Sequence, residues 1–480
     1  MHYRDRLFDP NASFEDTITN HSSILPRIET KQDLKQLPFF SKTGGSFLDC
    51  FTIAPLVNIV GGVELNSVSG SRFIYDTGIG ASLNFNSKKL FFTGKFLPYL
   101  TRSAFVRDSV QNARDSDLGS GRSIFDKGYQ QNEWILGFRP NHIFTFMLGN
   151  GRNFFGEGYR SLILSDNAGS TPFFKIETNL KSIKYVNLFE AWKDNTIDPR
   201  NKTLDRRKFA AMHYISWNIT REFNISIFES VVWQNNDTLI NRGFDLNYLN
   251  PIVFYRPVEY NNGSADNVLL GANMSFKFNA FHSIYTQVLL DDFLLAEIRA
   301  RSRWWANKYA FQIGYKSRKF AGIDKLYFQG EFNAVRPFTY SHKESVQSYG
   351  HLNSPVTHPI GANFFELLAI IAYEKGSNQF TGKITYSSFG VDSSAISYGQ
   401  DIFKPYGFRA DEYDQFMMQG SKRNILNATL IYERLLIKKF NIYLNATYNW
   451  RMQLNTNQLI NQHYFTFGVR SRIWNSYSDY

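Results

Sequence analysis

A glycine-rich segment at 150–161 carries residue types that could bind a ligand. It reads Asn150-Gly151-Arg152-Asn153-Phe154-Phe155-Gly156-Glu157-Gly158-Tyr159-Arg160-Ser161. Glycines at this spacing can cradle a phosphate, but the Lys-Ser/Thr ending and the strand–loop–helix setting of a nucleotide loop are missing. We predict instead a tight loop in which Arg152, Glu157 and Arg160 pair with one another or project into an interior. A structural plug is the first interpretation, and direct contact of these side chains and Tyr159 with a glycan is the second.

A second polar stretch begins at Arg336 and Tyr340 and continues through three of the nine histidines, His342, His351 and His358. Their spacing matches no standard metal site, so we predict packing and hydrogen bonding within a folded loop, with metal binding as the alternative. Tyrosine, histidine and arginine also suit a sugar-binding surface, because aromatic rings stack on pyranose faces and polar groups reach hydroxyls. With Arg256, these side chains complete the predicted ligand-binding set.

The sequence lacks the motifs of common hydrolases, namely Gly-x-Ser-x-Gly, His-Glu-x-x-His and Ser-x-x-Lys with its companion motifs. Asp291 and Asp292 are adjacent carboxylates, but one sequence does not show that they face a substrate. The single cysteine, Cys50, cannot form an internal disulfide and has no metal-spaced neighbours, so it is predicted to be a small half-buried residue. We predict no enzymatic activity and no cofactor.

The elements that must position these loops show a two-residue period. In 440–450, apolar or aromatic residues alternate with Asn, Tyr and Thr, and the same alternation recurs from about Phe51 onward. About eighteen strands are predicted near 51–63, 73–85, 89–97, 133–139, 142–149, 173–180, 182–192, 207–218, 223–233, 268–278, 282–290, 305–315, 324–335, 364–373, 380–388, 424–434, 440–450 and 463–474.

Composition favours an all-β transmembrane antiparallel barrel over a helical membrane protein. Aromatic residues make up 17% of the 480 residues, yet the mean hydropathy is −0.33 and no run of about eighteen apolar residues occurs. Barrel strands hide their membrane signal because lipid-facing and lumen-facing residues alternate. We predict one barrel over 47–480, after a polar periplasmic segment over 1–46 that contains one or two short helices.

The predicted strands are joined alternately by short turns and long polar insertions. Turns such as 86–88 and 375–378 contrast with insertions at about 100–132, 150–172, 234–267, 336–362 and 389–423. Outer-membrane barrels place short turns on the periplasmic rim and long loops outside. We predict long extracellular loops that plug the lumen.

The net charge of +11 and pI of about 9.3 come from basic residues scattered over strands and turns. This scatter favours a polar lumen and contacts with anionic lipid or acidic glycan over nucleic acid. Trp304 and Trp305 are predicted to open a strand, either as part of an interfacial aromatic girdle or as a core pair.

The two ends of the sequence bear on export. The opening Met1-His2-Tyr3-Arg4 has no apolar signal-peptide region, which counts against export unless the sequence is mature, trimmed or started at a wrongly assigned methionine. The aromatic-rich final strand and Tyr480 are typical of barrels recognised by insertion machinery, and an ordinary edge strand is the alternative. We expect an outer-membrane protein of a Gram-negative bacterium.

Residues 149–168 resemble the Wzi-type family of capsule assembly proteins. Three further segments resemble the gliding-motility RemB branch of that family: Leu249-Asn250-Pro251-Ile252-Val253-Phe254-Tyr255-Arg256-Pro257-Val258-Glu259, then Asn307-Lys308-Tyr309-Ala310-Phe311-Gln312, and the run 336–366. The resemblance extends from about His21 to the C-terminus. It implies an eighteen-stranded outer-membrane barrel with a closed or plugged lumen that acts without catalysis.

Three functions follow as hypotheses. The capsule branch implies a surface lectin that holds acidic polysaccharide, and the basic loops would supply many weak contacts. The motility branch implies an accessory component of a gliding-motility or secretion apparatus with protein partners. A diffusion porin is the third hypothesis, and it requires an unblocked lumen.

Overall fold

The computed structural model describes residues 21, 23–25, 51–102, 128–197, 202–236, 242–251, 266–456 and 458–472. Within these residues, eighteen antiparallel strands form one closed barrel. The strands, numbered in chain order, are β1 Phe51–Asn66, β2 Gly70–Asn86, β3 Leu90–Arg102, β4 Gly128–Phe138, β5 Phe144–Gly151, β6 Thr171–Leu180, β7 Ile183–Asp194, β8 Arg206–Asn218, β9 Phe223–Gln234, β10 Asn267–Lys277, β11 His282–Leu290, β12 Tyr309–Ser317, β13 Leu326–Val335, β14 Phe364–Lys375, β15 Asn378–Val391, β16 Ser421–Ile437, β17 Ile442–Asn455 and β18 Gln458–Ser471.

Each strand pairs with its neighbour in the chain, and the first pairs with the last. The seam joins β1 to β18 in antiparallel register, from Asn58 opposite Arg470 to Asn66 opposite Gln462. A closed sheet has no free edge, which is the condition for strands to cross a membrane. The predicted all-β barrel of about eighteen strands is confirmed.

The strands have two chemically different faces, as the alternation predicted. On β14, Leu367 and Ile371 point outward and are 50% and 45% exposed, while Glu366, the residue before Leu367, points inward and is 0% exposed. On β13, Gln329, Glu331 and Asn333 line the interior. An apolar exterior around a polar interior is the pattern of a transmembrane barrel. No helix in the described part of the chain is long and apolar enough to cross a membrane.

The connections divide between two rims. Those that follow even-numbered strands are short turns, at 87–89, 139–143, 181–182, 219–222, 278–281, 318–325, 376–377 and 438–441. All the long connections follow odd-numbered strands, at 103–127, 152–170, 195–205, 235–266, 291–308, 336–363 and 392–420. We call these the short-turn rim and the long-loop rim. Both ends of the barrel sequence lie at the short-turn rim, which agrees with the predicted distribution of turns and loops.

Short helices and two-residue strands lie in the connections and in the N-terminal segment; the 3-10 helices are Lys202–Leu204, Leu246–Leu249, Phe320–Gly322, Ser345–Gln347, Tyr406–Phe408 and Lys438–Phe440. Helix α1 spans Leu295–Arg299 on the long-loop rim. Two-residue strands pair Gly350–His351 with Ser354–Pro355, and Ile24–Leu25 with Phe154–Phe155.

The described residues of the N-terminal segment lie inside the barrel. His21, Ser23 and Ile24 are buried, and His21 Nδ1 is 2.9 Å from Ser216 Oγ on β8. These residues therefore pack inside the barrel, and the periplasmic location of the rest of 1–46 stays a prediction. The helices predicted within 1–46, and Cys50, lie outside the described residues.

Candidate functional site

The connection 152–170 folds into the barrel interior, and we call it the plug. Every residue from 153 to 165 is buried. Gly156 has a φ of +137°, and a Cβ placed there would come within 2.3 Å of Gln287 Nε2 on β11. Only glycine combines this backbone with so close an approach to the wall. The glycine-rich sequence thus serves close packing inside the barrel, and the predicted plug is confirmed.

Arg160 anchors the plug to β14. Its guanidinium donates to both carboxylate oxygens of Glu366, with Nη2–Oε1 and Nε–Oε2 distances of 3.1 and 3.3 Å. His358 Nε2 lies 2.8 Å from Glu366 Oε2. All three side chains are at most 1% exposed. A forked arginine–carboxylate pair fixes orientation as well as charge, so this triad holds the plug in one position.

Wall side chains also bind the backbone of the plug. Glu331 on β13 accepts from the N–H groups of Tyr159 and Arg160 at 2.7 and 3.2 Å. Gln287 accepts from the N–H of Leu162 at 2.8 Å and donates to the carbonyl of Phe155 at 3.2 Å. The N–H groups of Tyr159, Arg160 and Leu162 lie outside the short strand pairing of the plug, so the wall supplies the partners that buried backbone requires.

Polar and aromatic contacts extend the attachment around the lumen. Lys383 Nζ on β15 donates to Tyr159 Oη at 2.9 Å. On the other side, the Phe155 ring stacks on Tyr214 of β8 with centroids 4.5 Å apart, and its edge contacts Phe228 of β9. The plug is therefore attached on both sides of the interior.

The connection 336–363 covers the plug on the side of the long-loop rim, and we call it the cover loop. The hydroxyls of Tyr340 and Tyr349 donate to the carbonyls of Leu162 and Ile163 at 2.8 and 2.9 Å. Both tyrosines are 0% exposed. The cover loop and the plug thus form a single packed layer across the described lumen.

A cluster of half-exposed aromatic and basic side chains lies on the long-loop rim. Trp305 packs against Tyr406, with ring centroids 4.6 Å apart, and the Arg409 guanidinium lies 4.4 Å above the Trp305 ring. His342 contacts Tyr406 edge to face at 6.0 Å. We call these four residues the rim cluster. They come from three different long loops, so the cluster exists only when those loops are packed together.

Lys308 supports the rim cluster from below. Its buried ammonium bonds Asp291 at 2.9 Å and Asp292 at 2.8 Å, and it lies 5.4 Å from the centre of the Tyr406 ring. Despite burial, the two carboxylates raise the pKa of Lys308. Asp291 also accepts from the backbone N–H of Tyr340 at 2.7 Å. Asp291 therefore joins the connection 291–308, in which it pairs with Lys308, to the cover loop.

The arginines and glutamate of the plug each have a partner on the barrel wall. Arg152 Nε lies 3.4 Å from Glu133 on β4, and Glu157 lies 3.5 Å from Lys316 on β12. Arg160 pairs with Glu366 on β14, so the three charged side chains contact three different parts of the wall. A short loop whose charges meet the wall is stabilised by tertiary contacts that no local pattern encodes.

The other predicted site residues are spread over two environments. Tyr340, His351 and His358 are buried beneath the surface, while His342 and Arg336 are half exposed. The Arg336 guanidinium lies 5.4 Å above the Tyr309 ring. Arg256 lies outside the described residues. A ligand-binding role for any of these side chains stays a prediction.

The described residues contain no group of three or more His, Cys, Asp and Glu placed to hold a metal ion. The three histidines of the cover loop instead have separate partners. His358 bonds Glu366, His351 Nδ1 accepts from the Lys193 N–H at 3.0 Å, and His342 contacts Tyr406. Packing and hydrogen bonding therefore describe the arrangement of this loop.

The rim cluster was not identified from the sequence. The predicted strand at 305–315 in fact begins at Tyr309, so the interpretation of Trp304 and Trp305 as opening that strand was wrong. Trp305 belongs instead to a long loop. Tyr406 and Arg409 lie in an insertion without periodicity, where the aromatic–basic composition was the only available signal.

Acid is expected to loosen the cover loop through His351. Burial, with the charges of Lys208 and Lys193, lowers the pKa of His351 to about 3, whereas an exposed histidine has a pKa of about 6.5. At a pH between these two pKa values, His351 is neutral in the closed loop and protonated in the open loop. The closed loop therefore binds fewer protons. The closed loop is therefore most stable above pH 6.5. Its stability decreases as the pH is lowered, by about 2 kcal/mol at pH 5.

The measurement is amide hydrogen exchange of residues 349–356 at pH 7 and pH 5, corrected for the intrinsic rate. His351→Asn keeps a side-chain acceptor for the Lys193 N–H and has no charge to gain. We expect the variant to lose about half of the pH dependence, because burial and Lys308 lower the pKa of His342 to about 4, and at pH 5 this histidine also contributes about 2 kcal/mol. Equal pH dependence in both proteins would contradict the assignment to His351.

Comparison with known proteins places the fold in the class of outer-membrane barrels. No protein-family model and no curated protein matches the sequence. Among solved structures, the chain is similar to Wzi of Escherichia coli, described as an outer-membrane protein involved in group 1 capsule assembly and a carbohydrate-binding β-barrel. The TM-score is 0.52 at 9% identity, covering 85% of this chain and 84% of that one.

Two other similar structures come from Pseudomonas aeruginosa. OpdK with vanillate has a TM-score of 0.49 at 10% identity, covering 88% of this chain and 99% of that one. OprD has a TM-score of 0.47 at 9% identity, covering 90% and 98%. At these identities the likeness shows the fold alone. That fold implies a location in the outer membrane.

Proposed function

We propose that this outer-membrane barrel binds acidic surface polysaccharide at its long-loop rim without catalysing a reaction. The observation that carries the proposal is the combination of a plugged lumen with a half-exposed aromatic and basic cluster above it. The plug counts against the diffusion-porin hypothesis, because Arg160, Glu366 and the cover loop occupy the path that a solute would take. The rim is then the surface on which the protein can act.

The chemistry of the rim cluster suits a sugar polymer. The faces of Trp305 and Tyr406 can stack on pyranose rings. Arg409, which also pairs with Glu412, places a guanidinium beside them that a carboxylate of an acidic sugar can reach. His342 is neutral at pH 7, since its pKa is about 4, and can exchange hydrogen bonds with hydroxyl groups. Lys308 and the two aspartates hold this surface in place before any ligand arrives.

Support from relatives is limited to the fold of Wzi, which its description calls carbohydrate binding. The proposal therefore depends on the rim cluster of this chain. A polymer repeats its sugar unit, so one weak site per barrel and many barrels per cell would retain it by avidity. The gliding-motility role expected from the RemB resemblance is the alternative that the experiment must separate.

The experiment compares cell-attached with shed polysaccharide in a strain lacking the gene, its parent, and the parent carrying Trp305→Ala with Tyr406→Ala. We expect the deletion to shift polymer toward the shed fraction and the double variant to follow it. With purified protein on immobilised polymer, loss of both rings is expected to weaken binding roughly tenfold, equal to about 1.4 kcal/mol.

A matched control removes two aromatic rings from the opposite rim, Tyr315→Ala with Phe320→Ala. This control should retain polymer like the parent, because the short-turn rim does not face the cell exterior. An unchanged attached fraction in the deletion strain would refute the polysaccharide role. Cross-linking from the rim to a protein partner, with no glycan recovered, would then support the motility or secretion role.

A further inference from the structure

The segment 293–303 on the long-loop rim presents apolar side chains that no described residue covers. Helix α1 contains no buried residue. Phe293, Leu294, Leu295 and Ile298 are 46, 45, 47 and 39% exposed. Four adjacent apolar side chains at this exposure are unusual for a loop that faces only water.

This apolar segment continues the lipid-facing wall. Leu290 and Tyr309 form the last pair between β11 and β12 at this rim. Below them on β12, Phe311 and Ile313 point outward and are 38% and 44% exposed. Phe293 follows Leu290 by three residues, which limits their Cα separation to about 10 Å. The segment therefore lies where the barrel wall leaves the outer leaflet.

Hydrogen bonds fix the position of this segment. The N–H of Leu294 donates to Asn307 Oδ1 at 2.8 Å, and the N–H of Asp291 donates to the carbonyl of Lys308 at 3.0 Å. The carbonyl of Arg303 accepts from the N–H of Gln415 at 3.0 Å. The exposed apolar side chains thus extend from an ordered backbone.

Three arginines follow the apolar residues at alternate positions. Arg299, Arg301 and Arg303 are all exposed, and the structure shows none of their side chains in an ion pair with a described residue. Arg301 and Arg303 have φ values of +54° and +52°, a left-handed conformation that arginine rarely adopts. Between 293 and 303 the only carboxylate belongs to Glu297. The segment thus places three arginines beside an apolar surface, while the stretch hydrogen-bonded to its other side carries Asp411, Glu412 and Asp414.

We propose that this segment binds a phosphorylated, acylated glycolipid of the outer leaflet. The acyl chains would contact Phe293, Leu294, Leu295 and Ile298, while the three guanidinium groups would bind the phosphates of the head group. Arginine suits this role because its planar fork donates two hydrogen bonds to one phosphate. An apolar face flanked by cations is the general arrangement for docking at an anionic membrane surface.

The test uses the full chain purified in detergent and titrated with bis-phosphorylated hexa-acyl lipid A, with bound lipid counted by native mass spectrometry. The same lipid without its phosphates is the second probe. We expect the parent protein to bind the bis-phosphorylated form at least tenfold more tightly. Arg299→Gln with Arg301→Gln and Arg303→Gln should bring the two affinities to within about twofold.

A matched control removes three exposed cations from the short-turn rim, Lys181→Gln with Arg221→Gln and Lys325→Gln. It should keep the full preference for phosphate. A further variant, Leu295→Ser with Ile298→Ser, should weaken both lipids alike, which separates acyl contact from phosphate contact. The proposal fails if the arginine variant keeps the tenfold preference, or if the short-turn control loses it to the same extent. Heat-modifiable mobility on gels verifies that each variant is a folded barrel.

Discussion

Replacing Glu366 with alanine is expected to open the barrel. The change removes the acceptor shared by Arg160 and His358, both of which are at most 1% exposed. A buried arginine left without its partner is destabilised by about 3–5 kcal/mol relative to the paired state. The plug can relieve this cost only by moving Arg160 toward water, which requires it to leave its position against β14.

The measurement is ionic conductance of purified protein in planar bilayers. We expect the parent to remain closed and Glu366→Ala to show steady or flickering currents. The double variant Arg160→Met with Glu366→Leu removes both charges while filling their space, so it should stay closed more often than Glu366→Ala alone.

A second control tests whether any lost carboxylate would open the lumen. Glu64 on β1 is also buried at the wall and bonds Arg72, which does not belong to the plug. Glu64→Ala should leave the barrel closed. Two results would contradict the hypothesis that the plug closes the lumen. One is a parent protein that conducts, and the other is a current from Glu64→Ala as large as that from Glu366→Ala.

Replacing Lys308 with methionine is expected to disorder the rim cluster. Methionine fills the space of the lysine stem but leaves Asp291, whose side chain is 2% exposed, without its cation. We expect a loss of about 3 kcal/mol in the local opening free energy, at the lower end for a broken buried pair. Since Asp291 also holds the Tyr340 backbone, the loss extends from 291–308 to the start of the cover loop.

Hydrogen exchange tests this prediction most directly. The protection of 303–308 and 338–342 should fall by roughly a hundredfold, because each 1.4 kcal/mol equals a factor of ten. Lys308→Met combined with Asp291→Asn should recover part of that protection, while Lys343→Met, at an exposed lysine in the cover loop, should change little. Unchanged exchange in Lys308→Met would mean that the rim cluster does not depend on this ion pair. Polymer binding should fall together with the protection.

The barrel could be predicted from the sequence because its signal is local and repeated. Alternation on β13, with Gln329, Glu331 and Asn333 on one face, follows from the strand period alone. Seventeen further strands repeat that signal, and loop lengths assign the rims. Strand ends were less predictable. Residues 305–308 have the composition of a strand, and only the structure shows that Lys308 bonds Asp291 and Asp292 within a loop.

The contacts of the site could be predicted only in part. The glycines of 150–161 indicated a tight loop, because glycine permits backbone conformations and approaches that other residues do not. Which wall residue each charge would meet could not be inferred, since Arg160 and Glu366 are 206 positions apart. The rim cluster has the same difficulty, because Trp305, His342 and Tyr406 come from three loops whose mutual packing leaves no periodic trace.

The position of the plug constrains the order in which the barrel is assembled. The plug lies between β5 and β6, yet it bonds β14 and β15, and Tyr159 is 224 positions from Lys383. Closing chain segments of that length costs entropy before any contact compensates, which makes folding slow. The bonds from the plug to β14 and β15 can form only once those strands have taken their places in the wall. The plug therefore reaches its final position late in assembly, after most of the wall has formed.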